Sequence, residues 1–73
     1  MKVLMTCENE RFIIQEGDRF FIAAPSTKKI SEVTEAQCRS ITRQGYWEGI
    51  KKIPAEIEKQ LEELFYITYL RIF

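Results

Sequence analysis

The sequence predicts an α+β fold, a three-stranded antiparallel β-meander followed by two α-helices packed on one face of the sheet (βββαα). Three observations support it: two β-forming runs split by a glycine in segment 12–22, a helix-start pattern at Thr34, and helical spacing of apolar residues after Pro54. Seventy-three residues allow one domain, residues 1–73, with a modest core. Because such a core is small, a homodimer or a bound partner would stabilise it.

The first strand is predicted at Lys2–Cys7, where apolar residues alternate with others. Val3, Met5 and Cys7 then point toward the core. Residues 8–10 form a polar break before the second strand. Pro25 ends the sheet, because proline cannot donate to a central ladder, and residues 26–31 follow as a polar connector.

The turn between the second and third strands decides which side chains face the core. A two-residue turn at 16–17 would place Glu16 at positive φ, which glutamate tolerates poorly. A three-residue loop at 15–17 requires positive φ only at Gly17, so this loop is preferred. It predicts a core face and a mixed face. The core face carries Phe12, Ile14, Phe20 and Ile22, and the mixed face carries Arg11, Ile13, Arg19 and Phe21.

The first helix is predicted to begin after Thr34, which has Gln37 at the spacing of a capping box. Gly45 should end it in the left-handed conformation. Trp47, the sole tryptophan, is expected to cap the core.

The last helix is predicted to begin with Pro54 at its first position and to extend to about Tyr69. The alternative is that the apolar tail becomes a C-terminal strand. The inward stripe is formed by Ile57, Leu61, Leu64 or Phe65, and Thr68.

Composition argues against several classes of function. The net charge is zero and the chain contains no histidine, so no metal or other cofactor is expected and catalysis is not expected either. Cys7 and Cys38 are distant in sequence and are predicted to be free, mostly buried thiols. No targeting segment or membrane-length apolar run is visible, so we expect a cytoplasmic protein that does not bind a membrane.

The tail carries more apolar surface than a chain of this length easily buries, which predicts a protein interface. Its candidate residues, with one from the mixed sheet face, are Phe21, Tyr66, Tyr69, Leu70, Ile72 and Phe73. The main hypothesis is a small protein-binding module, an adaptor, regulator or inhibitor that covers a surface of a larger partner. A phage or mobile-element origin would suit a chain of this size. The alternative for the tail is that it only wraps the sheet.

Two other functions remain open. The first is a nucleic-acid-binding regulator, because segment 26–52 carries six basic residues against three acidic ones. Its candidate residues are Arg11, Arg19, Lys28, Lys29, Arg39 and Arg43. The same residues are equally consistent with a solvated surface. The second is a structural protein that exists only as an oligomer. The predicted arrangement is too common for function to be transferred by analogy.

Overall fold

A computed structural model of the chain describes residues 2–8, 10–50 and 52–70. Within these ranges, five strands form one antiparallel sheet, accompanied by two α-helices. The strands are β1 (Lys2–Cys7), β2 (Arg11–Glu16), β3 (Arg19–Ala24), β4 (Lys29–Val33) and β5 (Glu48–Gly49), and the helices are α1 (Glu35–Gln44) and α2 (Ala55–Phe65). The order of the strands across the sheet is β4-β3-β2-β1-β5. The α+β class is confirmed, and the sheet is wider than the predicted meander.

A two-residue turn joins β2 to β3. Glu16 pairs with Arg19, which leaves Gly17 and Asp18 as the central residues. Gly17 has φ 60° and Asp18 has no positive φ, the sign pattern of a type II′ turn. The predicted three-residue loop is therefore wrong. Glycine at the first central position supplies the one positive φ that this turn requires, and the turn matches the twist of the strands.

This turn changes the register of β3 by three positions, because Ile14 pairs with Phe21 and not with Asp18, its partner across the predicted three-residue loop. Ile14 pairs with Phe21 and Phe12 with Ala23, and all four side chains are buried on one face, the core face. Phe20 and Ile22, which were predicted to be core, lie on the opposite face and are half-buried. Phe21, which was predicted on the mixed face, is fully buried. A shift by an odd number of residues exchanges the two faces of a strand, which explains why Phe20, Phe21 and Ile22 all lie on the face opposite to the predicted one.

Helix α2 covers the core face. Its side chains Leu61, Leu64 and Phe65 pack against the sheet cluster, at the helical spacing that places them on one side. Phe65 meets Phe21 edge to face, with ring centroids 5.1 Å apart and an interplanar angle of 86°. This T-shaped geometry is the favoured arrangement of an aromatic pair.

Strand β1 does not keep strict alternation. Its register with β2 shifts between Val3 and Met5, as a β-bulge does. Val3 packs on the core cluster, whereas Met5 pairs with Ile13 and Cys7 with Arg11 on the opposite face. The prediction that all three alternating residues point toward the core holds only for Val3.

The predicted polar connector at 26–31 is wrong. Residues Pro25–Thr27 form a 3₁₀ turn, Lys28 adopts the left-handed conformation with φ 57°, and β4 follows. Ile30 of β4 packs on the core cluster, so the strand has an apolar contact despite its polar sequence. The strand β5, which was not predicted, pairs with Met5 and Thr6 of β1.

The start of α1 agrees with the sequence. Gln37 N–H donates to Thr34 Oγ1 at 3.1 Å, and Thr34 N–H donates to Gln37 Oε1 at 2.8 Å, which confirms the capping box. The helix ends at Gly45, but this residue is extended, with φ −110°. The predicted left-handed conformation there is wrong.

The two helices lie on opposite faces of the sheet, not on one face as predicted. Strands β4 and β5 are the two edges, so the chain between them must cross the sheet, and α1 makes most of this crossing. None of its residues belongs to the core cluster. Arg11 lies on the face opposite the core cluster, and its guanidinium carbon is 5.3 Å from the centre of the Trp47 ring. Ile13 on that same face is also buried, so both faces of the sheet are covered.

Helix α2 begins after Pro54, which is its N-cap and not its first helical residue. After Phe65 the chain continues as a π-helical turn, Tyr66–Leu70. The prediction of a helix to about Tyr69 is confirmed, and the alternative of a C-terminal strand does not apply to these residues.

Replacing Gly17 with alanine should lower the free energy of unfolding by about 1 kcal/mol, because only its positive φ opposes a side chain. Nothing lies within 4 Å of a Cβ added at Gly17 or at Gly49, and Gly49 has no positive φ. Gly49→Ala is therefore the matched control and should leave stability unchanged or slightly raised. Urea denaturation of both variants tests this, and equal effects at the two positions would contradict it.

Candidate functional site

The end of α2 exposes two neighbouring large apolar side chains. Leu61, Leu64 and Phe65 point inward, so the same helical spacing turns Tyr66 and Ile67 outward. Tyr66 is 59% exposed and Ile67 is 56% exposed. Both lie in the π-helical turn, a distortion found often at functional sites. This end of the helix is therefore the leading candidate for a binding surface.

A groove of about 370 Å³ lies beside these residues, between α2 and the 3₁₀ turn that follows β3. Pro25, Leu64 and Ile67 supply its apolar lining. Its polar rim is formed by Ser26, Lys28, Gln60 and Glu63. We call Pro25, Leu64, Tyr66 and Ile67 together the α2 patch. It combines exposed anchors with a concave neighbour.

The surface next to the α2 patch is acidic. Helix α2 carries four glutamates against one lysine, and all five side chains are exposed. Glu62 and Glu63 lie directly beside Tyr66 and Ile67 in a shared depression. A partner that covers the patch therefore meets apolar side chains bordered by negative charge.

The structure places the predicted interface residues in different environments. Tyr66 is exposed in the α2 patch, whereas Phe21 is in the core and cannot form a surface, which corrects its predicted position. Tyr69 and Leu70 lie in the π-helical turn. Ile72 and Phe73 lie outside the described residues.

Ile67 was missed by the sequence reasoning, although a signal was present. The predicted inward stripe already contained Leu64 and Thr68, and Thr68 is half-buried as expected. Extending that helical spacing places Ile67 on the outer side.

The predicted mixed face does not bring the two arginines together, because Arg11 and Arg19 lie on opposite faces of the sheet. Arg19 shares a face with Phe21, and its guanidinium carbon is 5.2 Å from the centre of that ring. Arg11 packs against Trp47 and donates from Nη2 to Cys7 Sγ at 3.2 Å. Arg19 donates from Nε and Nη2 to the two carboxylate oxygens of Glu32, at 2.7 and 2.8 Å. Both guanidinium groups are thus engaged within the chain.

The remaining basic candidates belong to separate elements. Lys28 borders the groove of the α2 patch, and Lys29 begins the edge strand β4. Arg39 and Arg43 lie one turn apart on α1, where Arg39 Nη2 bonds Glu35 Oε1 at 3.0 Å. The two arginines line a shallow surface with the small residues Ala36 and Ser40.

The two cysteines are free thiols. Cys7 is buried on the sheet face opposite the core cluster, as its bond from Arg11 indicates. Burial raises the pKa of the half-buried Cys38 thiol, and the nearby Glu35 carboxylate raises it further. A raised pKa keeps this thiol protonated, which is unfavourable for a nucleophile.

Comparisons of the chain with protein-family models, with curated proteins and with solved structures found no match. Among residues 2–8, 10–50 and 52–70, no helix has both the length and the apolar character needed to cross a membrane. Within the same ranges, no three His, Cys, Asp or Glu side chains are grouped as metal ligands would be. The function therefore has to be inferred from the surfaces of this chain.

Replacing Arg19 with glutamine should raise the pKa of the Glu32 carboxyl. The hydrogen bonds from Arg19 hold this pKa below its ordinary value, so the favourable contribution is present above the ordinary glutamate range. It is lost as the pH falls through the lowered pKa. Carboxyl-detected NMR titration checks this, with Arg39→Gln as the matched control. An unchanged Glu32 pKa in Arg19→Gln would contradict the assignment.

Replacing Gly45 with alanine should displace Trp47, because an added Cβ would overlap Nε1 and lie 2.8 Å from Cδ1 of the indole. Overpacking of this kind costs about 1–3 kcal/mol of stability. The single tryptophan reports the change directly, and its fluorescence emission should move to longer wavelength as the ring enters water. Gly49→Ala again serves as the control. If Gly45→Ala keeps the emission wavelength and the stability of the wild type, the close approach of Trp47 to Gly45 is disproved.

Proposed function

We propose that the protein is a small non-catalytic module that binds another protein through the α2 patch. It would act as an adaptor, regulator or inhibitor by covering a surface of a larger partner. The observation that carries this proposal is the pair of adjacent, more than half-exposed side chains Tyr66 and Ile67 beside a preformed groove. Exposed apolar surface of this kind is unfavourable in water and becomes favourable when a partner covers it.

The chemistry of the patch supports a protein as the ligand. Tyrosine is enriched at the centres of protein interfaces, where its ring is buried and its hydroxyl finds a polar partner. Glu62 and Glu63 border the patch and would favour a partner with a basic surface. Such charges increase the specificity and the rate of association more than they increase the affinity. The same glutamates are unfavourable for nucleic acid, whose phosphates they would repel.

The proposal includes a cytoplasmic location. Free Cys7 and Cys38 support it, because thiols are kept reduced in that compartment.

Nucleic-acid binding remains a second proposal, carried by α1 alone. Its exposed side holds Arg39 and Arg43 separated by one turn, with the small residues Ala36 and Ser40 beside them. Two arginines on a helix can contact phosphates, and binding of this kind would weaken steeply with salt.

A pull-down from host lysate with tagged protein, with and without nuclease, should separate these functions. We expect one partner protein to be recovered equally in both conditions. Ile67→Asp should reduce its recovery at least about tenfold, because a charge enters the centre of the interface. Tyr46→Ser is the matched control, since Tyr46 is 78% exposed but lies outside the α2 patch, and it should bind normally.

The outcomes are distinct. Because Ile67 and Tyr46 are both exposed, neither change should alter the free energy of unfolding by more than about 0.5 kcal/mol. Equal recovery by Ile67→Asp and wild type would reject the α2 patch as the binding site. Recovery that is lost with nuclease and with Arg43→Glu would favour nucleic acid instead.

A further inference from the structure

Three large apolar side chains are exposed among the residues whose burial the structure describes: Tyr46, Tyr66 and Ile67. Tyr66 and Ile67 belong to the α2 patch. Tyr46 is the most exposed of the three and stands in the segment between α1 and β5, next to Trp47. Trp47 packs over Arg11, on the sheet face opposite α2. The molecule therefore has an apolar anchor on one side and an apolar groove on the other.

The net charges on the two sides are opposite. On α1, Arg39 is bonded to Glu35, which leaves the positive charge of Arg43. Around the α2 patch, Lys28 lies with Glu62 and Glu63, which leaves one negative charge. Arg43 precedes Tyr46 by three residues, is exposed on α1 and makes no ion pair within the described residues. Arg39 lies one helical turn before Arg43 on α1. On the other side of the sheet, Glu62 and Glu63 border the α2 patch. We call Arg39, Arg43 and Tyr46 the α1 surface.

We propose that a second copy of this chain occupies the α2 patch by presenting its α1 surface. Tyr46 of one copy enters the groove beside Ile67 of the next copy, and Arg43 faces Glu63 there. The groove of about 370 Å³ can receive a tyrosine ring. This inference rests on the proposed function, because it assigns an occupant to the same patch.

Charge also decides the geometry of the contact. A symmetric contact between two α2 patches would bring two surfaces of net negative charge together, and a contact between two α1 surfaces would bring two surfaces of net positive charge together. Like charges in contact disfavour both arrangements. The head-to-tail contact pairs opposite charges and leaves one free surface at each end, so assembly proceeds to rings or open chains and does not stop at a dimer.

The contact is small and belongs to the weak class of interfaces. Association should therefore require high protein concentration, and it should weaken as salt screens the charges.

Sedimentation velocity over a wide range of concentrations tests the inference. Wild type should show an average mass that rises with concentration beyond that of a dimer, and less so at high salt. Tyr46→Ser and Ile67→Asp should each remain monomeric. An equimolar mixture of these two variants should form a dimer and nothing larger, because only one intact contact can form between them.

A charge exchange gives an independent readout. Arg43→Glu should weaken association about tenfold, and combining it with Glu63→Lys in the same chain should restore association. Both side chains are exposed, so folding should be preserved.

Each alternative has its own signature. A dimer that survives Tyr46→Ser, or variants that do not complement each other, would overturn the head-to-tail contact. A wild-type chain that is monomeric at every concentration would overturn self-association. The proposed function would still be supported if the pull-down recovers a partner protein whose binding is lost with Ile67→Asp and kept with Tyr46→Ser. Self-association without any captured partner would support the head-to-tail contact and reject binding to a different protein.

Discussion

The contact between Phe21 and Phe65 depends on the two-residue turn at Gly17 and Asp18, and the rest of the molecule depends on that contact. The turn places Phe21 beside Ile14 on one face of the sheet. Only that face can then accept Leu61, Leu64 and Phe65 of α2. With these residues directed inward, Tyr66 and Ile67 have to face outward. A turn of one more residue would exchange the faces of β3, and α2 would then lose the apolar sheet face on which it packs.

Local chemistry was readable from the sequence wherever a few neighbouring residues decided it. The first strand, the capping box of Thr34 and Gln37, and the long last helix were predicted, since each has a local signal. The register of β3 was not, because Phe20, Phe21 and Ile22 are all apolar and offer no alternation to distinguish the faces. Strand β4 was also missed: its polar residues suit a loop, and only the contact of Ile30 with the core shows why it is a strand.

The candidate site was predicted in part for a similar reason. A surplus of apolar side chains near the end of the chain predicted an interface that includes Tyr66, and the structure exposes Tyr66 at the end of α2. Phe21 was placed on the surface only because of the register error. The grouping of Arg11 with Arg19 required a shared sheet face, which the actual pairing excludes. The groove beside Ile67 could not be foreseen, because it forms between α2 and a 3₁₀ turn that are distant in sequence.

The pairing of β5 with β1 has a consequence for the order of folding. Met5 and Gly49 are joined across most of the chain, yet β5 contributes only two residues to the ladder, supplemented by the bond from Ile50 N–H to the Leu4 carbonyl. Closing so long a loop has a large entropic cost, and so few bonds compensate little of it. Local contacts within the β2–β3 hairpin form at a smaller cost. The sheet should therefore grow outward from that hairpin, with the β1–β5 seam closing last and opening first in native-state fluctuations.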